Sequence, residues 1–179
     1  MQDARNGEST MSEPLRTLDE LPSHPVPPRR AEEFRLRVDG QVARPLMLGL
    51  PELTALAHSA IVEDFTCLEG WVVPGQRWAG VPLEAVLRLA VLLPSAQWVN
   101  VSSGQFSLPL PVQRSHDALL ALSLNDAPLT LEHGSPIRLI VRGGECFTSV
   151  KWADHLRLTD APAPNTAEQI ARARLPVSG

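Results

Sequence analysis

At 179 residues, with 44% hydrophobic and 20% charged content, the chain has the size and composition of one domain with a single sizeable core rather than a disordered segment. Its net charge of -4 argues against nucleic acid or an anionic membrane surface as a partner. No run reaches the roughly 18 apolar residues of a membrane helix, and Met1 to Glu20 has no apolar signal-peptide core, so a cytoplasmic setting and no membrane insertion are expected.

Residues 1–20 are polar and aperiodic and read as a flexible arm. Pro22-Ser23-His24-Pro25-Val26-Pro27-Pro28 is proline-stiffened and extended, because proline fixes its own φ and restricts the residue before it. Phe34 to Val38 alternates apolar with basic residues, the period of a half-buried strand. Asp39-Gly40 turns the chain, and Gln41 to Leu48 returns to complete a hairpin. Pro51 opens a short helix over Glu52 to His58.

Ser59 to Cys67 is the next expected strand, apolar at Ile61, Val62 and Phe65, and it delivers the Cys67 thiol into a loop walled by Trp71 and Trp78. Pro82 then starts the clearest helix, with Leu83, Val86, Leu87, Ala90 and Val91 on one face and Glu84 and Arg88 paired on the other. Gln97 to Val101 and Gln105 to Leu110 read as two strands, and Pro111 to Ser123 as a helix. Ile137 to Val141 is a short apolar strand, Phe147 to Trp152 and Leu156 to Thr159 a final strand pair, and Thr166 to Arg174 a helix in the tail. Short strands outnumber helices without alternating regularly with them, which predicts an α+β fold. The boundaries that follow are an arm over 1–20, a domain over 21–162 and a tail over 163–179.

Two segments beyond the cysteine strand carry chemistry. His133-Gly134-Ser135-Pro136-Ile137-Arg138 and Ser149-Val150-Lys151-Trp152 offer an arginine fork and a lysine point charge, the pair that clamps a phosphate. Of the 16 basic residues Lys151 is the single lysine, so its compact ammonium stands out against an arginine-rich background. Taken singly, His133 and Arg138 read better as a turn histidine and a surface strand arginine, and Cys67 as inert core packing. The two cysteines, Cys67 and Cys146, show no zinc-like spacing. They could pair, although a small buried filler is the preferred reading of Cys146.

Taken together, the Cys67 loop, the His133–Arg138 segment and the Ser149–Trp152 segment resemble the sulfite-oxidase-like molybdopterin oxidoreductases over most of residues 20–160. The resemblance implies a β-rich mixed fold of the sulfite oxidase type and a molybdenum-molybdopterin cofactor (Moco). It implies that Cys67 is the catalytic molybdenum ligand. It also implies that His24, His133, Arg138, Ser149, Val150 and Lys151 are cofactor contacts. A soft thiolate suits a metal already held by two cofactor sulfurs, which explains the lack of a larger Cys/His cluster. The implied activity is two-electron redox, oxygen-atom transfer on a small substrate, with electrons passed to a separate partner because no haem domain is present in the sequence.

Departures from the family pattern bear on the substrate. Leu68-Glu69-Gly70 follows Cys67 where sulfite oxidases place basic groups. The chain has no tyrosine, and Phe106 stands where the family has one. Ser102 or Ser103 replaces an acidic residue. A carboxylate at Glu69 repels sulfite, so sulfite is not the expected substrate. The alternative reading is a non-catalytic cofactor-binding or interaction module.

Overall fold

The computed structural model describes residues 14–23, 26 and 33–175. Two sheets and three short helices make an α+β architecture. The first sheet contains β1 (Arg16–Thr17), β4 (Ser59–Cys67), β5 (Trp71–Pro82), β8 (Ala118–Leu124), β9 (Ala127–Pro128) and β10 (Arg138–Val141). The second runs in the order β3 (Leu46–Leu48), β2 (Leu36–Gly40), β11 (His155–Thr159), β6 (Trp98–Ser103) and β7 (Phe106–Pro111). The helices are α1 (Leu50–Thr54), α2 (Leu83–Ala90) and α3 (Thr166–Arg172).

Several expected elements form. The antiparallel β6–β7 pair forms and β4 has the expected bounds. β2 and β3 pair as a hairpin, but Asp39-Gly40 ends β2 instead of turning the chain, and the return strand is only Leu46–Leu48. On α2, Leu83, Val86, Leu87 and Ala90 are buried while Arg88 pairs with Glu84 at 3.2 Å on the outer face. Val91 does not join that face. It adopts a left-handed φ of 55° as the C-cap and is 47% exposed, so the helix stops one residue short of the apolar pattern.

Five further expectations are corrected. The stretch after Cys67 is not a long loop, because Leu68-Glu69-Gly70 is a tight turn and β5 follows at once, with Cys67 paired to Trp71. Pro74-Gly75 sits within β5 at a bulge opposite Asp64, where the ladder needs no proline N–H. The Asp64 carboxylate accepts the Gly75 N–H at 2.9 Å there.

Pro111 to Ser123 is not a helix. A 3-10 turn, Val112–Asp117, leads into β8. β8 lies between β5 and β10 with both faces covered, so Leu119 and Ala121 enter one apolar cluster and Ala118 and Leu120 the other. A strand buried on both faces loses the alternation that would reveal it. Residues 147–152 are likewise not a strand but a 3-10 turn, Cys146–Thr148, followed by one isolated bridge between Arg138 and Lys151. The short helix after Gly49 spans Leu50–Thr54 instead of reaching His58. Finally, the segment read as an arm supplies β1, which pairs in parallel with the start of β5.

The larger core lies between the second sheet, α2 and the inner faces of β8 and β10, and it contains Leu36, Val38, Leu83, Val101, Leu139 and Leu156. A smaller cluster on the opposite face of β8 and β10 contains Phe65, Trp71, Val73, Trp78, Leu119 and Ile140. Gly80 permits the close crossing between β5 and β8, since a Cβ there would collide with the Leu120 carbonyl. A cavity opens beside this aromatic cluster.

Candidate active site

The β4–β5 hairpin holds the Cys67 sulfur at its tip. The turn is closed by a Gly70 N–H bond to the Cys67 carbonyl at 3.0 Å, with Gly70 at a φ of 81° that favours glycine. The half-buried thiol faces a cavity of about 500 Å³. Arg138, Ser149 and Lys151 line the same cavity, so four residues expected from the sequence converge.

Arg138 reaches this wall from β10, a strand buried at all four positions. Its guanidinium lies 4.9 Å from the Phe65 ring centroid and 5.0 Å from that of Trp78. Its Nη1 donates to the His133 carbonyl at 3.2 Å, whereas its buried Nε has no protein partner. Burial pulls the guanidinium pKa down to about 10, which leaves it charged at neutral pH. A buried cation with a spare donor is costly unless an anion meets it.

Lys151 adds to that demand. Its ammonium donates to the Glu132 carbonyl at 2.6 Å and has no ion pair among the described residues. Desolvation, and then repulsion from Arg138 and Arg174, lower its pKa to about 8, with Glu132 opposing. Gly134, at a φ of 111°, lets the backbone segments carrying these cations approach, because a Cβ there would lie 3.1 Å from the Arg138 Cβ and 3.2 Å from the Lys151 Cα. Trp152 fixes the following backbone, its indole N–H donating to the Leu131 carbonyl at 2.8 Å.

Other expected contacts lie elsewhere. His133 does not line the cavity. Its Nε2 donates to the Leu21 carbonyl at 3.3 Å, and Nδ1 is 3.2 Å from the Thr130 hydroxyl, so the ring ties the Leu21 segment to this loop. Val150 turns its side chain into the larger core while its carbonyl accepts the Leu139 N–H at 2.9 Å. Ser149 is among the residues lining the cavity. His24 lies outside the described residues. Of the two tryptophans, Trp71 forms a cavity wall and stacks on Phe65 at 6.1 Å, whereas Trp78 is fully buried behind that wall with its indole nitrogen unpartnered.

Two contributors lie outside the expected site residues, although a pairing of Cys146 with Cys67 is open to the sequence beside the preferred filler reading. The sulfur of Cys146 is 2.6 Å from that of Cys67. The shared hydrogen bond lowers the Cys146 pKa, while the same bond and burial raise that of Cys67, so the second proton is held far more tightly than the first. The second contributor is α3, whose Ala167 and Ile170 form one wall and whose following turn brings Arg174 to the cavity. Nothing in local periodicity announces either contact. Glu69, Phe106 and Ser103 complete the lining near the thiol, and Glu69 accepts from the Trp71 indole at 3.3 Å.

The family model for the oxidoreductase molybdopterin binding domain matches residues 23–167. The chain belongs to this family of sulfite-oxidase-like molybdopterin oxidoreductases. Over 140 residues it is 27% identical to the uncharacterized oxidoreductase YuiH of Bacillus subtilis, covering 76% of this chain and 71% of that one. It is also 27% identical to the protein-methionine-sulfoxide reductase catalytic subunit MsrP of Xanthomonas axonopodis, covering 82% of this chain but 51% of that subunit. The mitochondrial sulfite oxidase of Drosophila melanogaster is 25% identical, and the match spans 81% of this chain and 30% of the oxidase. Among solved structures, the sulfane dehydrogenase SoxCD of Paracoccus pantotrophus superposes with a TM-score of 0.71 at 25% identity, over 76% of this chain and 40% of that one. The α+β, β-rich fold of the family is therefore the fold seen here.

The residues present fit the cofactor that the family's name implies. A pterin phosphate would meet the Arg138 guanidinium and the unneutralised Lys151 ammonium on the cavity lining, while the Cys67 sulfur is available to a soft metal. No cluster of three or more His, Cys, Asp or Glu side chains that could hold a bare metal occurs among the described residues. One protein thiolate suffices where the cofactor brings its own sulfurs.

Proposed function

We propose that the chain is a molybdenum-cofactor-dependent oxidoreductase that transfers an oxygen atom to or from a small substrate, with a separate protein or dye exchanging the electrons. The observation that carries this reading is the meeting of a thiol and two unneutralised cations on one cavity, with the Arg138 Nε left without a partner. Bound Moco would supply the two-electron redox chemistry. Cys67 would hold the metal through its thiolate, Arg138 and Lys151 would grip the anionic end of the pterin, and Ser149 would add a hydroxyl contact.

The surroundings of the thiol support an uncharged substrate over an oxyanion. Glu69 places a carboxylate beside the entrance and Phe106 presents an apolar ring, 37% exposed, at the same cavity. A carboxylate disfavours sulfite there by like-charge repulsion. Sulfoxides belong in the substrate panel, since relatives bear the name protein-methionine-sulfoxide reductase.

The deciding experiment measures molybdenum and released pterin in purified protein from a cofactor-producing host, then turnover with dyes against sulfoxides and sulfite. Near-stoichiometric molybdenum with turnover of a neutral substrate is the expected result. Absence of both metal and pterin would overturn the reading. A second reading, a cofactor-binding module without turnover, draws support from Leu68-Glu69-Gly70, which puts no basic group directly after the thiol. Loaded protein inert toward every donor and acceptor would favour it.

A further inference from the structure

We propose that Cys67 and Cys146 form a reversible disulfide in the cofactor-free protein, and that the state of this pair decides whether the cofactor can be loaded. The gating half of this inference rests on the reading of Cys67 as the metal ligand, whereas the pairing itself rests on geometry. The two sulfurs are 2.6 Å apart although the residues are 79 positions apart in sequence. Both are half-buried and line the same cavity, so a small thiol reagent can reach them.

The fold holds the pair together from both sides. Cys67 ends β4 at a turn fixed by its own carbonyl and the Gly70 N–H. Cys146 opens a 3-10 turn fixed by the Ser149 N–H to the Cys146 carbonyl at 3.2 Å and the Thr148 N–H to the Glu145 carbonyl at 2.8 Å. That turn also packs against β4 and β10. The chain has 2 cysteines in all, so each has a single intramolecular partner to choose.

A low-molecular-weight disulfide such as oxidised glutathione serves as the oxidant. One cysteine thiolate attacks it, releasing one glutathione thiol and leaving a mixed disulfide. The second cysteine then attacks that mixed disulfide, forming the Cys67–Cys146 bond and releasing the second glutathione. Two electrons pass from the protein thiols to the oxidant, and the two protons end on the released glutathiones. In the product the Cys67 sulfur is bonded to sulfur and cannot serve as an anionic metal ligand. Reduction by excess thiol reverses both steps.

The test uses the full-length protein from a host unable to make the cofactor, equilibrated in glutathione redox buffers, then trapped with a maleimide and weighed intact. Both thiols are expected to disappear together without a retained glutathione, and a digest should yield one peptide pair joining Cys67 to Cys146. Two persistent free thiols, or a stable glutathione adduct, would overturn the pairing. Cys146→Ser should instead retain one glutathione on Cys67, and failure of that variant to fold leaves the wild-type result decisive.

Oxidised and reduced protein are next offered Moco released from a donor enzyme, and bound molybdenum is measured. Uptake by the reduced form and only background uptake by the oxidised form is expected, with full recovery after dithiothreitol. Equal uptake by both forms would overturn the gating. A disulfide accompanied by no uptake in either form would overturn the proposed function, and the gating with it, while the pair stands on the mass data.

Discussion

The two apolar regions of this molecule differ in what they leave unfinished. The core beneath the second sheet is lined by Leu36, Val38, Val99, Leu156 and their neighbours, with β2, β11, β6 and β7 paired along their lengths. The aromatic cluster beside β4 and β5 surrounds a buried guanidinium, and both orphaned side-chain donors found among the described residues, Trp78 Nε1 and Arg138 Nε, lie there. The first region stabilises the fold by burial alone. The second leaves two buried donors without a protein partner and borders the cavity that Arg138 and Lys151 line.

The comparison can be broken most sharply at the thiol. Cys67→Ser is expected to abolish turnover and strip or alter the metal centre while leaving the thermal midpoint of the cofactor-free protein nearly unchanged. Retention of the wild-type molybdenum spectrum and rate in that variant would remove Cys67 from the site. The opposite response belongs to the core. Leu156→Ala should cost about 2–5 kcal/mol in denaturant melts, the usual range for a cavity left by a large aliphatic side chain, and leave the substrate preference of the surviving folded enzyme intact.

Arg138→Met sharpens the contrast, because it replaces an unpaired buried charge with an apolar chain. Stability of the cofactor-free protein should rise by about 1–4 kcal/mol, as when buried ionic groups give way to hydrophobic ones, while retained molybdopterin falls. A variant that loses stability without cofactor would show that the guanidinium is satisfied by the protein after all.

Lys151 supplies a pH signature. Its folded pKa of about 8 lies below the ordinary 10.5, so between these values the unfolded chain binds a proton that the folded chain has released. Lys151 therefore makes the cofactor-free protein more stable as pH rises through that window. Subtracting the profile of Lys151→Met isolates this contribution from the nearby thiols. Phosphate bound beside the ammonium raises its pKa and should flatten the difference. The smallest effect is expected from Arg174→Ala, a several-fold weakening of cofactor retention without loss of fold, since Arg174 is exposed and screened by solvent.

Much of this arrangement was legible before any coordinates. The bounds of β4, the buried face of α2 and the convergence of Cys67, Arg138, Ser149 and Lys151 follow from periodicity and from the motif resemblance. β5 and β8 were obscured for opposite physical reasons: a proline-glycine pair at a bulge imitates a loop, and burial on two faces erases alternation. The Cys67–Cys146 contact and the approach of Arg174 depend on tertiary register, which no local pattern encodes.

The wall made by α3 also carries a consequence for timing. Helix α3 is the last of the described elements to leave the ribosome, and it is fastened chiefly to β7 and the Cys146–Thr148 turn. Its first residue, Thr166, donates to the Gln105 carbonyl at 2.7 Å, and Ala167 behind it is fully buried. Of the described elements lining the cavity, the wall that α3 forms is therefore the last to be synthesised.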